Sequence, residues 1–142
     1  MASLWEGNEV GDVVTEAIFE VSRDSLVRYA GASGDFNPIH YRDDIAQSVG
    51  LEGVLAHGML TMGLAVSPVT EWLGTKGFVA DYQVRFTKPV YVPATGSVTV
   101  SVSASLAQVD EPAEGWATLA LTVSTEDGTK VLGKAFVVVS LR

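Results

Sequence analysis

Between Val98 and Leu106 the chain alternates without a break: Val98, Val100, Val102, Ala104 and Leu106 are apolar, and Thr99, Ser101, Ser103 and Ser105 between them are polar. A two-residue period puts the two sets on opposite faces of an extended chain, so this stretch predicts a strand with one face buried. Ala117, Leu119, Leu121 and Val123 repeat the pattern, and Phe78, Ala80, Tyr82, Val84 and Phe86 form another alternating set. A valine-rich stretch over Lys130 to Leu141 predicts a further strand, and Glu126-Asp127-Gly128 before it suits a hairpin turn. Successive strands with short connections imply an antiparallel sheet with one apolar face.

The first half reads differently. Asp12 to Val21 predicts one more strand, and Ser22 is placed as the N-cap of a helix over Arg23 to Ala32 whose core-facing side is Leu26, Val27, Tyr29 and Ala30. Gly34 to Pro38 ends that helix, because Pro38 has no N–H and restricts Asn37 as well as itself. A short helix over Asp43 to Val49 and a longer one from Gly58 to about Leu73 follow. The longer one carries Met59, Leu60, Met62, Leu64, Ala65, Val66, Val69 and Trp72, apolar nearly all round, and a helix without a polar face has to be surrounded. An α+β hotdog fold, a curved antiparallel sheet wrapped around a long buried helix, would do so; the pattern alone leaves a generic α+β sandwich open. With no internal repeat and no long linker, residues 1–142 read as one domain.

Composition narrows the function. Seventeen acidic residues against 9 basic ones give a net charge of −8 with no Lys/Arg run, which argues against nucleic-acid binding. An anionic ligand would need a local cluster of cations. The absence of cysteine excludes disulfides and thiolate metal sites, and two histidines supply a zinc site poorly. Met1 to Asp12 lacks the regions of a signal peptide, and the apolar run Val54 to Val69, broken by His57, Thr61, Ser67 and Pro68, is too short for a bilayer span. The expectation is a cytoplasmic protein without membrane insertion.

The stretch with chemistry in it is Gly34-Asp35-Phe36-Asn37-Pro38-Ile39-His40. It sets an acid and an imidazole five residues apart on a Gly/Pro-bounded loop between helices, the kind of place where catalytic groups are carried. An imidazole exchanges protons near neutral pH, and a neighbouring carboxylate can orient it and share the work. On spacing alone Asp35 serves equally well as a turn former, and a lone histidine is more often structural. Ala56-His57-Gly58-Met59 then opens the apolar helix. Free N–H groups and the positive dipole end would suit an oxygen gaining negative charge, and Gly58 admits close approach; capping of the helix explains the same residues.

Together, these two segments closely resemble the MaoC-like, (R)-specific enoyl-CoA hydratase family, over essentially the whole chain. Within it, Arg28-Tyr29-Ala30-Gly31 and Ala56 through Gly63 look most like the catalytic β-type subunits of mycobacterial (3R)-hydroxyacyl-ACP dehydratases. The resemblance implies that Asp35 and His40 hold one water molecule and move its protons, that Asn37 steadies their loop, and that the backbone N–H of Gly58 polarises the thioester carbonyl. It implies reversible conversion of a trans-2-enoyl thioester of CoA or acyl carrier protein into the (3R)-hydroxyacyl thioester, in fatty-acid metabolism. No metal or organic cofactor is called for, because the thioester already acidifies the α-position. The family pairs two hotdog units, so a homodimer or a heterodimer with a related subunit is expected.

His57, Thr61 and Arg85 remain as candidate substrate contacts, Arg85 through a phosphate of the carrier; Lys88, Lys134 and Arg142 are weaker candidates for the same patch. An exposed arginine is as readily a solvated charge. Two rivals stand beside the hydratase: a thioesterase on the same fold, and a non-catalytic acyl-binding subunit. The apolar helix has no carboxylate before Glu71, which counts against the first; Asp35 and His40 are both present, which counts against the second.

Overall fold

The computed structural model describes residues 3–142. Its elements run β1 (Val13–Ser22), α1 (Arg23–Ser33), a 3-10 turn (Pro38–His40), α2 (Asp43–Ser48), α3 (Gly58–Leu73), β2 (Gly77–Phe86), β3 (Ser97–Val109), β4 (Trp116–Thr125) and β5 (Leu132–Leu141). The strands form one antiparallel sheet in the order β1-β3-β4-β5-β2. β3 to β5 are a meander; β1, before the helices, flanks it on one side and β2, after them, on the other. With α3 packed on β1, β2 and β3, this is the α+β hotdog arrangement.

The meander follows its alternation closely. Val98, Val100, Val102, Ala104 and Leu106 of β3 are buried, as are Ala117, Leu119, Leu121 and Val123 of β4. The turn into β5 is closed by Asp127, whose Oδ1 accepts from the Thr125 hydroxyl at 2.6 Å and from the Thr129 N–H at 3.0 Å. β2 departs from expectation. Its register against β5 shifts between Val79 and Asp81 and again between Gln83 and Arg85. Each irregularity changes which side the next residue faces, so the single apolar face expected from Phe78 to Phe86 is divided. Val79, Tyr82 and Val84 pack against the core, whereas Phe78, Ala80 and Phe86 are exposed.

Ser22 caps α1 as expected: its hydroxyl accepts from the Ser25 N–H, and the Ser25 hydroxyl accepts from the Ser22 N–H. Leu26 and Ala30 face the core, but Val27, one position round the helix, is exposed. In α3 the buried positions are Thr61, Ala65, Pro68, Val69 and Leu73, a single stripe. Met59 and Gly63 are exposed and Met62, Leu64 and Val66 half-buried, so the far side of the helix is only partly covered within one chain.

Residues 34–57 bridge α1 and α3 outside the sheet. Asp43 is their main anchor: Oδ1 accepts from the Val54 N–H at 2.9 Å and pairs with the Arg23 guanidinium at 3.0 Å, while Arg23 Nε donates to the Val92 carbonyl at 2.8 Å. Beyond it, Val92 donates to the Val54 carbonyl and Ala56 to the Val90 carbonyl, tying this segment to the strand-like stretch before β3.

Candidate active site

α1 stops at Gly34, whose φ of 78° is a left-handed value that costs a glycine little, and whose N–H closes on the Ala30 carbonyl at 2.9 Å. A relay of short-range bonds then steers the loop. The Asp35 N–H donates to the Ser33 hydroxyl at 3.1 Å, the Asn37 N–H to Asp35 Oδ1 at 3.1 Å, and the Ile39 N–H to Asn37 Oδ1 at 3.2 Å. Pro38 opens the 3-10 turn whose last residue is His40.

The two imidazoles are held in opposite senses. His40 Nδ1 lies 2.7 Å from the Leu55 carbonyl oxygen. A carbonyl only accepts, so Nδ1 carries the hydrogen and Nε2 of the neutral ring keeps its lone pair. His57 Nε2 lies 3.1 Å from the Asp35 carbonyl oxygen and is the donor by the same argument, while its Nδ1 is buried without a hydrogen-bond partner. The rings stack with centroids 3.8 Å apart and planes 24° from parallel, and Tyr29 of α1 covers His57 at 4.7 Å. A carboxylate oxygen of Asp35 and a ring nitrogen of each histidine lie within 4.8 Å of one another. Burial first, and the charge on His40 after it, hold the His57 imidazolium below its ordinary range against the opposing effect of Asp35.

That cluster does not make a good metal centre. One nitrogen of each ring is engaged with a carbonyl, and rings stacked nearly parallel aim their remaining in-plane lone pairs alongside one another rather than at a common point.

A mostly apolar cleft of about 330 Å³ opens beside His40. Its walls include Leu51, Leu55 and Ala56 before α3, Gly58 and Thr61 on its first turns, Phe86 at the end of β2 with Lys88 and Val90 beyond it, and Val131 and Leu132 at β5. Gly58 sits at a close approach: a Cβ there would come 3.0 Å from the ring of Phe86, so the Phe86 ring lies flush against the helix start. As the first residue of α3, Gly58 has no intrahelical acceptor for its N–H. A second apolar hollow of about 280 Å³, lined by Leu26, Val27, Ala30, Phe36 and Tyr41, reaches His40 from the other side.

Among the residues singled out from sequence, the structure sets Asp35 beside His40, ties Asn37 into the same loop, and puts His40 with Gly58 and Thr61 on the cleft wall, which Asp35 itself does not line. His57 belongs to the cluster but not to the cleft wall; it is 1% exposed, so direct substrate contact is replaced by contact with Asp35 and His40. Arg85 is exposed and lies outside the cleft lining, whereas Lys88, weighed below it, lies at the cleft. Phe86, the neighbour of Arg85, lines the cleft, and successive residues of a strand point to opposite sides. The apolar walls at Leu51, Phe86, Val131 and Leu132 had no sequence signal of their own, since they come from separate segments.

Comparison with known proteins gives a consistent result. A family model described as MaoC like domain matches residues 7–125. The chain is 34% identical over 85 residues to the 3-hydroxyacyl-thioester dehydratase X of Mycobacterium tuberculosis, covering 60% of this chain and only 29% of that protein. It is 28% identical over 123 residues to the (R)-specific enoyl-CoA hydratase of Rhodospirillum rubrum, covering 86% and 82%. Among solved structures, a MaoC-like dehydratase superposes with a TM-score of 0.87 at 34% identity, over 99% of this chain and 42% of that one. A chain of the ChsH1-ChsH2 complex from Mycobacterium tuberculosis superposes with a TM-score of 0.79 at 25% identity, over 94% and 98%.

Proposed function

The chain belongs to the MaoC-like domain family, and from that premise we propose that it is a hydro-lyase interconverting a trans-2-enoyl thioester, on CoA or acyl carrier protein, with its (3R)-hydroxyacyl thioester. The observation that carries this reading is the position of His40: its lone-pair nitrogen is set by the Leu55 bond, Asp35 stands beside it, and it shares a cleft wall with Gly58. The names of the relatives, a thioester dehydratase and an enoyl-CoA hydratase, support the same chemistry.

In the hydration direction, Asp35 and His40 Nε2 hold one water molecule over the β-carbon. Its oxygen bonds to that carbon as one of its protons passes to the pair, and a proton reaches the α-carbon. Charge that collects meanwhile on the thioester oxygen is met by the Gly58 N–H at the positive end of α3. Dehydration runs the same path backwards. Asn37 acts on the loop rather than on substrate, Thr61 borders the acyl group, and Lys88 meets the anionic carrier at the cleft.

We take residues 1–142 as one hotdog unit that pairs with a second, identical or related. The neighbour in a two-component complex supports pairing, as does the edge strand β2, where Phe78 and Phe86 are exposed beside an open ladder. Among the described residues no helix is long and apolar enough to cross a membrane, in keeping with cytoplasmic work.

The test is loss of the conjugated double bond of a trans-2-enoyl-CoA, followed by ultraviolet absorbance. Wild type should produce (3R)-hydroxyacyl-CoA, and Asp35→Asn and His40→Ala should abolish it. Release of free CoA instead, or equal rates in all three proteins, overturns the reading.

A further inference from the structure

The chain has two histidines, and the reaction just described moves protons through one of them. We infer that the other, His57, is a positioning residue: its edge fixes the backbone of Asp35, its face fixes the ring of His40, and it takes no proton in turnover. This rests on the proposed roles of Asp35 and His40.

Asp35 follows immediately on the end of α1, and the side-chain bonds around it are local. Ser33, Asp35 and Asn37 bond only two residues along the chain. The bond from His57 Nε2 to the Asp35 carbonyl spans 22 residues and connects the loop to the first turn of α3. Local bonds shape a loop, but only a tie to a distant element sets where the shaped loop sits. That tie also relates Asp35 to Gly58, the residue after His57, and so relates the proton-handling end of the cleft to its oxygen-binding end.

The face of His57 supplies the second constraint. His40 is held at one edge by the Leu55 carbonyl, which still permits the ring to swing about that bond; the His57 ring 3.8 Å away blocks the swing. A residue selected for packing alone would not be histidine here. The orphaned Nδ1 is a polar atom buried without a partner, which is unfavourable, and an apolar ring would avoid it. What the apolar ring lacks is the Nε2–H.

A tie of this kind has to keep its hydrogen throughout turnover. The titratable groups facing His57 are Tyr29 from α1, Asp35 from the loop and His40 from the 3-10 turn. Burial disfavours the His57 imidazolium, and the bond to the Asp35 carbonyl holds the hydrogen at Nε2.

Two variants separate edge from face. His57→Phe keeps a ring to stack but removes the donor; His57→Gln keeps an N–H at about the same reach. His57→Phe should lower kcat by about 10- to 100-fold with KM within about twofold, the size expected of a catalytic group displaced by roughly 1 Å. His57→Gln should regain about tenfold of that kcat. Amide signals of Asp35 and Phe36 should move in His57→Phe and stay near wild type in His57→Gln. In the wild type, imidazole 15N spectra should resolve both rings, with His57 as the neutral Nε2–H form at about pH 6.5, where an ordinary imidazole is half protonated. Unchanged kcat in His57→Phe, loss of kcat in both variants in step with their melting temperatures, or an imidazolium at His57 would overturn the inference. If the wild type does not hydrate enoyl-CoA, the functional reading falls separately. The spectra then decide: Asp35 amide and His40 ring signals unmoved in His57→Phe would overturn positioning on its own terms.

Discussion

The meander and the segment 34–57 are held together by different means. In β3, β4 and β5 one instruction is repeated: Val100, Leu106, Leu119, Val123, Val137 and Val139 are each at most 1% exposed, and any one of them is helped by all the others. In segment 34–57 the side-chain ties are each a different single polar contact, at Asp35, Asn37, Asp43 or His57, beside backbone bonds such as that from Ala56 to Val90. Burial of apolar surface is non-directional, so it tolerates small errors, whereas a hydrogen bond fixes a distance and an angle. The sheet supplies stability, and the segment supplies position.

The two regions should therefore fail differently. Asp35→Asn and His40→Ala should cost about 10²- to 10⁴-fold in kcat, the usual weight of a positioned acid/base group, and Asp35→Asn, at an exposed residue, should leave the melting temperature close to wild type. Steady-state kinetics beside thermal denaturation checks both halves of that statement. A parallel loss of fold would mean that the segment is more than a carrier of chemistry.

Leu119→Ala attacks the other region. It empties a fully buried position and should destabilise by about 2–5 kcal/mol in denaturant titration. Molecules that remain folded should turn over at the wild-type rate, because Leu119 is not part of the cleft lining.

Asp43→Asn sharpens the comparison through pH. The Val54 N–H first, and the Arg23 guanidinium second, hold the Asp43 carboxyl below its ordinary range. A carboxyl depressed in the folded state contributes stability that is complete above its unfolded value, near pH 4, and is lost as pH falls through the lower folded value. Wild type should melt above Asp43→Asn at neutral pH, with the gap closing below about pH 4. Hydrogen exchange at the Val54 amide should quicken in the variant. The smallest effects belong to the rim: Lys88→Gln should raise KM for an acyl-CoA by about fivefold, the loss of roughly 1 kcal/mol from one exposed ionic contact, and Arg85→Gln should leave it within about twofold.

The meander was legible residue by residue because strand alternation is a property of neighbouring positions. β2 was legible as a strand but not in its facing, since the register shifts at Val79/Asp81 and Gln83/Arg85 arise from pairing with β5 and leave no mark on the local pattern. Val27 fits the helical period as well as Leu26 does; its exposure depends on what packs beside α1. At the site, Asp35, Asn37, His40 and Gly58 belong to two short motifs and could be named. The part played by His57 could not, because it depends on Tyr29 and His40 arriving from other elements to bury and stack it. Motifs report which groups are available; burial decides which of them meet a ligand.

The placement of Asp35 and His40 outside every strand ladder also has a hereditary consequence. Mutations at the proposed acid/base pair touch no paired strand, so selection for the sheet does not see them and selection for activity does. After a gene duplication, one copy is free to lose its chemistry while keeping the sheet, the edge strand and the cleft, and to persist as a folded companion of the copy that stayed active. A hotdog of this design carries its shape and its trade on separate residues, and lineages can inherit the one without the other.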